Sequence, residues 1–245
     1  MINFLSGGKV GDFIHTLFAA KNICEQKGKR ARIFLGGGDD WTFGVNRAYK
    51  DLYSLVMMQP YVESFHVYGG EKIDINLNSW RDVVATVHAE TGHYDSCWTE
   101  LLMKEYDIDP PDTYKWLTAP KDDSVTKGKV VIHFSLRHDT GLEIERYMGN
   151  DAVFITSNYK EWLAFPYRDW AYLHYLDNIT DMANAINSSS LFIGNQSSMF
   201  AIASALDVPR IVGLHPDAAP FYIGECKYSD NISWYLSSDI QKMKV

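Results

Sequence analysis

TDMANAINSSSLFIGNQSSMFAIASALDVPRIVGLHP, residues 180–216, reads as helix, strand, turn, helix, strand, and the fold is decided there. Ile179, Met182, Ala183 and Ile186 share one helix face, and Leu191 to Ile193 form a short apolar strand that ends at Gly194. Asn195, Gln196, Ser197 and Ser198 are small or polar, and Met199, Ile202, Ala203 and Leu206 then start a second amphipathic helix. A turn between the carboxyl end of a buried strand and the start of a helix aims unpaired backbone N–H groups at one point, which suits a phosphate or diphosphate. The same serines are also good N-caps, and most helices of α/β proteins begin this way. The local pattern leaves both readings open.

Outside this unit, composition narrows the field. A chain of 245 residues with 46% hydrophobic residues has material for one large or two small domains and a substantial core. Its net charge of −8 and pI near 5.4 argue against nucleic acid or an anionic membrane as main partner. Cys24, Cys97 and Cys226 are odd in number and far apart, so neither a disulfide framework nor a zinc site is indicated. No window approaches the ~18 apolar residues of a membrane span, and the first residues lack a basic segment followed by a long apolar run. The expectation is a soluble cytoplasmic protein without a membrane span.

Upstream, the chain starts with the apolar run Ile2 to Leu5, then SGGKVGD, then a helix whose Phe13, Leu17, Ala20 and Cys24 share a face and which Gly28 ends. Ala31 to Leu35 is the next strand, and the right-handed crossover rule makes these two strands parallel neighbours. The glycine turn has neither the G-x-G-x-x-G spacing nor a P-loop frame around Lys9. Asp12 reads either as the N-cap of the first helix or as a carboxylate held at a cleft rim, able to act as a general base. A helix over Asn46 to Met58, strands at Ser64 to Tyr68 and Ile73 to Leu77, and helices over Arg81 to Ala89 and Trp98 to Tyr106 follow. Alternation breaks at Ile108 to Lys129, where prolines and charges gather as in a linker. It restarts with strands at Val130 to Phe134 and Val153 to Thr156, and Ile232 to Val245 reads as a closing helix. Two α/β halves, 1–124 and 125–245, are expected to face one another across a ligand cleft.

Two stretches, GGKVGDFIHTLFAAKNICEQKGKRARIFLGG and LFIGNQSSMFAIASALDVPRIVGL, resemble the GT-B glycosyltransferases, and most of all the lipopolysaccharide heptosyltransferases of glycosyltransferase family nine. The resemblance implies two Rossmann-like domains, an amino-terminal one for the acceptor and a carboxyl-terminal one for a nucleotide-diphosphate-sugar donor. It implies Asp12, after Gly11, as the catalytic base, with Gly8, Lys9 and Gly11 in the acceptor-side loop; Trp41, just after GGGDD, is the aromatic residue that could stack on a sugar ring on that side, although aromatic residues are usually core. It places Gln196, Ser197 and Ser198 on the donor phosphates, Arg137 with His138 as the basic group after the first strand of the second half, and Glu225 on the donor ribose. The implied activity is transfer of a hexosyl or pentosyl group to a glycan or other hydroxyl acceptor, inverting, with no metal and no cofactor beyond the donor itself. A nucleotide-sugar epimerase on the same scaffold and a non-catalytic nucleotide- or sugar-binding module are the alternatives. The sequence departs from the family pattern in having Gln196 for the Asp of an Asp-Thr-Gly turn and Ala201 for a His of the next helix.

Arg137 has a plainer reading as the partner of a surface carboxylate, and Glu225 as surface. Asp107 and Asp109, before two prolines, read as a helix-ending turn rather than a metal site.

Overall fold

A computed structural model describes residues 1–37, 41–80, 97–137, 144–149 and 151–214, together with the backbone of 232–236. The first half contains strand β1 (Ile2–Ser6), helix α1 (Val10–Lys27), β2 (Ala31–Leu35), α2 (Val45–Met57), β3 (Val62–Val67), the short β4 (Ile75–Asn76) and α3 (Trp98–Tyr106). The second contains β5 (Val130–His133), β6 (Ala152–Thr156), α4 (Tyr159–Ala164), β7 (Ala171–Tyr175), α5 (Ile179–Ser188), β8 (Leu191–Asn195), α6 (Ser198–Leu206), β9 (Arg210–Leu214) and β10 (Ile232–Leu236). The expected helix over 81–89 lies outside the described residues.

Among the described residues every strand pair is parallel, and parallel sheets need helices over both faces. The sheets run β3-β2-β1-β4 and β10-β9-β8-β5-β6-β7. β1 and β2 pair in parallel from Ile2↔Ala31 to Ser6↔Leu35, as the crossover rule demands. In each sheet the strand order reverses once, beside β1 in the first and between β5 and β8 in the second. Ligands of such sheets bind at the carboxyl ends of the strands flanking the reversal.

The two halves share an apolar core. One buried cluster contains Phe13 and Leu17 of α1, Phe4 and Ile33 of the first sheet, Phe200 and Ile202 of α6, and Val131 and Phe192 of the second sheet. A smaller cluster, including Ile132, Phe154, Phe165 and Ile193, covers the other face of the second sheet, with Phe154 and Phe165 ring centroids 4.7 Å apart.

Two expectations are corrected. The segment after residue 107 has no regular structure up to Lys129, yet it is a strap rather than a loose linker. Trp116 Nε1 donates to Ile14 O of α1 at 2.8 Å, while the Trp116 and Leu117 amides both donate to Ala205 O of α6 at 3.0 Å. Gln59 exchanges both amide hydrogen bonds with Thr118, and Asn187 Nδ2 donates to Ala119 O. Sequence periodicity misses such packing because Trp116 and Leu117 bury their side chains outside any helix or strand. The second correction concerns the tail: residues 232–236 are a strand, paired from Ile232↔Arg210 to Leu236↔Leu214, not the start of a helix. ISWYL is β-branched and aromatic, and an open strand edge at β9 outweighs a weak helical pattern. Asp107 caps α3 in the left-handed region at φ 52°, as its reading as a helix-ending turn expected. Among the described residues no helix is long and apolar enough to cross a membrane.

Candidate functional site

The loop leaving β1 is built for close approach. A Cβ on Gly7 would lie 2.7 Å from Gly36 O, and the Gly7 amide donates to Asn78 Oδ1 at 3.0 Å. Gly8 turns the chain at φ 87°, where a side chain is strained. The loop then feeds α1, which starts earlier than the sequence suggests. Lys9 holds the N-cap position and Asp12 is the third helical residue, its Oδ2 accepting the Lys9 amide at 3.3 Å. Asp12 is therefore not the N-cap. An acidic residue at that position reaches back to the cap amide and complements the positive end of the helix.

The second corner forms where β8 ends. Asn195 is fully buried and clamps the chain after β5: its Oδ1 accepts the Ser135 amide at 3.0 Å and its Nδ2 donates to Ser135 O at 2.8 Å. That clamp sets the course of the segment carrying Arg137. Ser197 is the N-cap of α6, its Oγ accepting the Phe200 amide at 3.4 Å, and the same residue lines the cleft described below. Removing the clamp with Asn195→Ala leaves Ser135 backbone groups without their partner, a loss of about 1–3 kcal/mol. A lower chemical-denaturation midpoint with unchanged slope is the expected result, and an unchanged midpoint would refute the clamp.

The corners meet. A Cβ on Gly11 would be 3.7 Å from Ser198 Cα and 3.9 Å from both the Ser198 nitrogen and Ala201 Cβ, so α1 and α6 cross at van der Waals distance. Ala201, buried at 1% exposure, is a small residue on the α6 side of that crossing. Above the crossing opens a cleft of about 650 Å³ whose walls include Lys9, Gly11, Asp12, Trp41, Arg137, Gln196, Ser197 and Ser198. The amino-terminal residues of α1, α2 and α6 all reach this cleft, so the positive ends of these helices act on it together. Lys9 and Arg137 add cationic charge to the lining, and Asp12 adds a carboxylate.

Gly8 shapes the turn and is not on the cleft wall. Trp41 is 6% exposed and donates from Nε1 to Gly36 O at 2.9 Å, so it mainly anchors its loop. The exposed ring there is Phe43, 84% exposed at the cleft. His138 and Glu225 lie outside the described residues. Among the described residues no group of three or more His, Cys, Asp or Glu side chains is placed to hold a metal ion.

Sequence reasoning missed His133 and Glu161, which both line the cleft. His133 ends the strand whose following residues pointed to Arg137, so the strand-end argument applied to it equally. Glu161, inside a short helix after β6, gave no signal at all. Burial pushes the Glu161 carboxyl up, but hydrogen bonding and charge from His133 together with the Thr156 hydroxyl outweigh it and hold the group below the usual carboxylate range.

Two facing parallel sheets with a cleft over their strand reversals define a GT-B fold, the architecture of nucleotide-sugar glycosyltransferases. Solved structures similar to this chain carry that fold. A glycosyl transferase family 9 protein from Veillonella parvula superposes with a TM-score of 0.63 at 10% identity, over 99% of this chain and 87% of that one. The E. coli heptosyltransferase WaaC with ADP gives 0.58 at 12% identity over 99% of this chain and 98% of that one. E. coli ADP-heptose lps heptosyltransferase II gives 0.54 at 11% identity over 96% and 90%. No protein-family model and no curated protein matches the sequence.

Proposed function

We propose that the protein moves a sugar from a nucleotide-diphosphate sugar to a hydroxyl acceptor, with inversion and without a metal ion. The observation that carries this reading is the meeting of the Gly11-Asp12 and Gln196-Ser198 corners across one cleft. Asp12 accepts the proton of the acceptor hydroxyl as that oxygen attacks the anomeric carbon from the face opposite the leaving diphosphate. The diphosphate leaves toward the amino terminus of α6 and Arg137. Fixed amide dipoles and a guanidinium stabilise its growing charge there, which is the service a divalent cation gives elsewhere. The shared core holds the two walls in register, and orientation of this kind contributes about 7 kcal/mol or more in favourable cases.

WaaC was solved with ADP and with ADP-2-deoxy-2-fluoro heptose, which supports a nucleotide-diphosphate donor for this scaffold. In this reading residues 1–124 hold the acceptor and 125–245 the donor, with Glu225 on the ribose, His138 beside Arg137, and a hexosyl or pentosyl group transferred.

The test is a calorimetric screen of nucleoside diphosphates, then of the corresponding sugar nucleotides with hydroxyl acceptors. A matching diphosphate raises stability by about 2.7 kcal/mol at a hundredfold excess over its Kd, and its sugar nucleotide is consumed only with acceptor or slowly by water. Isomerisation of the sugar nucleotide without transfer would make the protein an epimerase. Binding without any turnover would make it a binding module. Absence of binding to every diphosphate would end the reading.

A further inference from the structure

Behind Ser197 lies a chain of polar groups that neither the base nor the helix amides use. Thr156 Oγ1 donates to Glu161 Oε2 at 2.5 Å, Glu161 Oε2 lies 3.5 Å from His133 Nε2, and His133 Nδ1 lies 3.3 Å from Ser197 Oγ. His133 is 5% exposed, and its ring lies against Phe154. We propose that Glu161 and His133 are positioning residues that set the direction of the Ser197 hydroxyl, so that an entering diphosphate and a proton on His133 are taken up together. This rests on the reading of the Ser197 corner as the diphosphate site.

Hydrogen-bond bookkeeping leads there. An ionised carboxylate only accepts, so Nε2 facing Glu161 carries a proton. In the neutral imidazole Nδ1 is then an acceptor, and the Ser197 hydroxyl must donate to it. Ser197 Oγ also accepts the Phe200 amide, which leaves a lone pair toward the cleft, and a lone pair repels a phosphate oxygen. When Nδ1 gains a proton from solvent, the bond reverses: Nδ1–H donates to Oγ, and the serine hydrogen turns into the cleft as a donor to the phosphate. One N–H bond forms, its proton coming from water or buffer, and no bond of the ligand breaks. The charged groups on the elements around His133 are Glu161 and the exposed Lys160 on α4, Arg137 beyond β5 and, across the cleft, Asp12 on α1, while β6, β8 and the first turns of α6 carry none. Glu161 is the one in contact, its Oε2 3.5 Å from His133 Nε2.

Inorganic pyrophosphate, which needs no particular base, is the probe. Calorimetry at mildly alkaline pH in buffers of different ionisation enthalpy counts the protons taken up on binding. The wild-type protein takes up more protons than His133→Asn, whose side-chain amide can donate to Ser197 without protonation. Ser197→Ala weakens binding about tenfold or more, the loss of a hydrogen bond to a charged group. Imidazole 15N shifts of the wild-type protein give a second readout that needs no variant: Nδ1 is bare without pyrophosphate and protonated with it. Equal proton uptake in wild type and His133→Asn, or an Nδ1 signal that pyrophosphate leaves unmoved, overturns the proposal while Ser197 remains the phosphate ligand. Failure of pyrophosphate to bind, or binding indifferent to Ser197→Ala, overturns the phosphate reading of the corner and the proposal with it.

Discussion

Asp12→Ala is expected to lower sugar transfer by about 10²–10⁴-fold while the affinity for nucleoside diphosphate stays as it was, because a positioned general base is worth that much and the donor corner is untouched. Asp12 has a structural task as well, accepting the Lys9 amide at 3.3 Å, so alanine also weakens the start of α1, by about 0.5–2 kcal/mol if helix-capping losses are a guide. Asp12→Asn separates the two tasks. Its side-chain oxygen still accepts that amide but cannot take a proton from an acceptor hydroxyl. Steady-state rates for the asparagine variant therefore fall with those of alanine, while its melting temperature stays closer to wild type. An asparagine variant that turns over at the wild-type rate would reduce Asp12 to a helix-terminus residue.

The second large effect concerns stability. Gly194 pairs with His133 where β8 runs beside β5, and a Cβ there would lie 2.6 Å from His133 O and 3.0 Å from two ring carbons of Phe192. Real Cβ atoms do not tolerate such distances, so Gly194→Ala must spread the two central strands of the second sheet. Overpacking of this kind costs about 1–3 kcal/mol, and in a chain of this size each kcal/mol lowers the melting temperature by roughly 2–4 °C. The same spreading displaces His133 and strains the Asn195–Ser135 clamp, so pyrophosphate binding weakens too. A thermal melt that matches wild type would show that the sheet absorbs the methyl group freely.

Much of this architecture is legible in the residues. The parallel pairing of β1 with β2 followed from an apolar strand, a helix stopped by Gly28 and a second strand, since chirality allows one arrangement. The turn after β8 was readable as a turn because small or polar residues separate an apolar strand from an amphipathic helix, but the same residues serve a helix cap and an anion site alike. The contacts that bring Gly11 to Ser198 were not readable from composition. They depend on glycine at 11 and alanine at 201 letting two helices touch, and a small residue looks the same in sequence whether or not a helix lies against it. Trp41 illustrates the converse: an aromatic after a glycine run looked available for stacking, but its indole N–H is tied to Gly36 O and Phe43 is the ring left outside. Glu161 was invisible because a glutamate in a short helix is ordinarily solvated, and only the fold brings β6 beside β5 and places the carboxylate behind His133.

The apolar cluster that runs through α1 and α6 from one sheet into the other makes the halves thermodynamic partners. Opening either half to solvent exposes side chains of both, so the amides of the first sheet exchange with deuterium no more readily than the cluster as a whole unlocks. If the proposed donor site is right, a nucleotide seated at α6 is expected to protect hydrogens in β1 and β2 that it never touches, and hydrogen exchange with and without the nucleotide tests this.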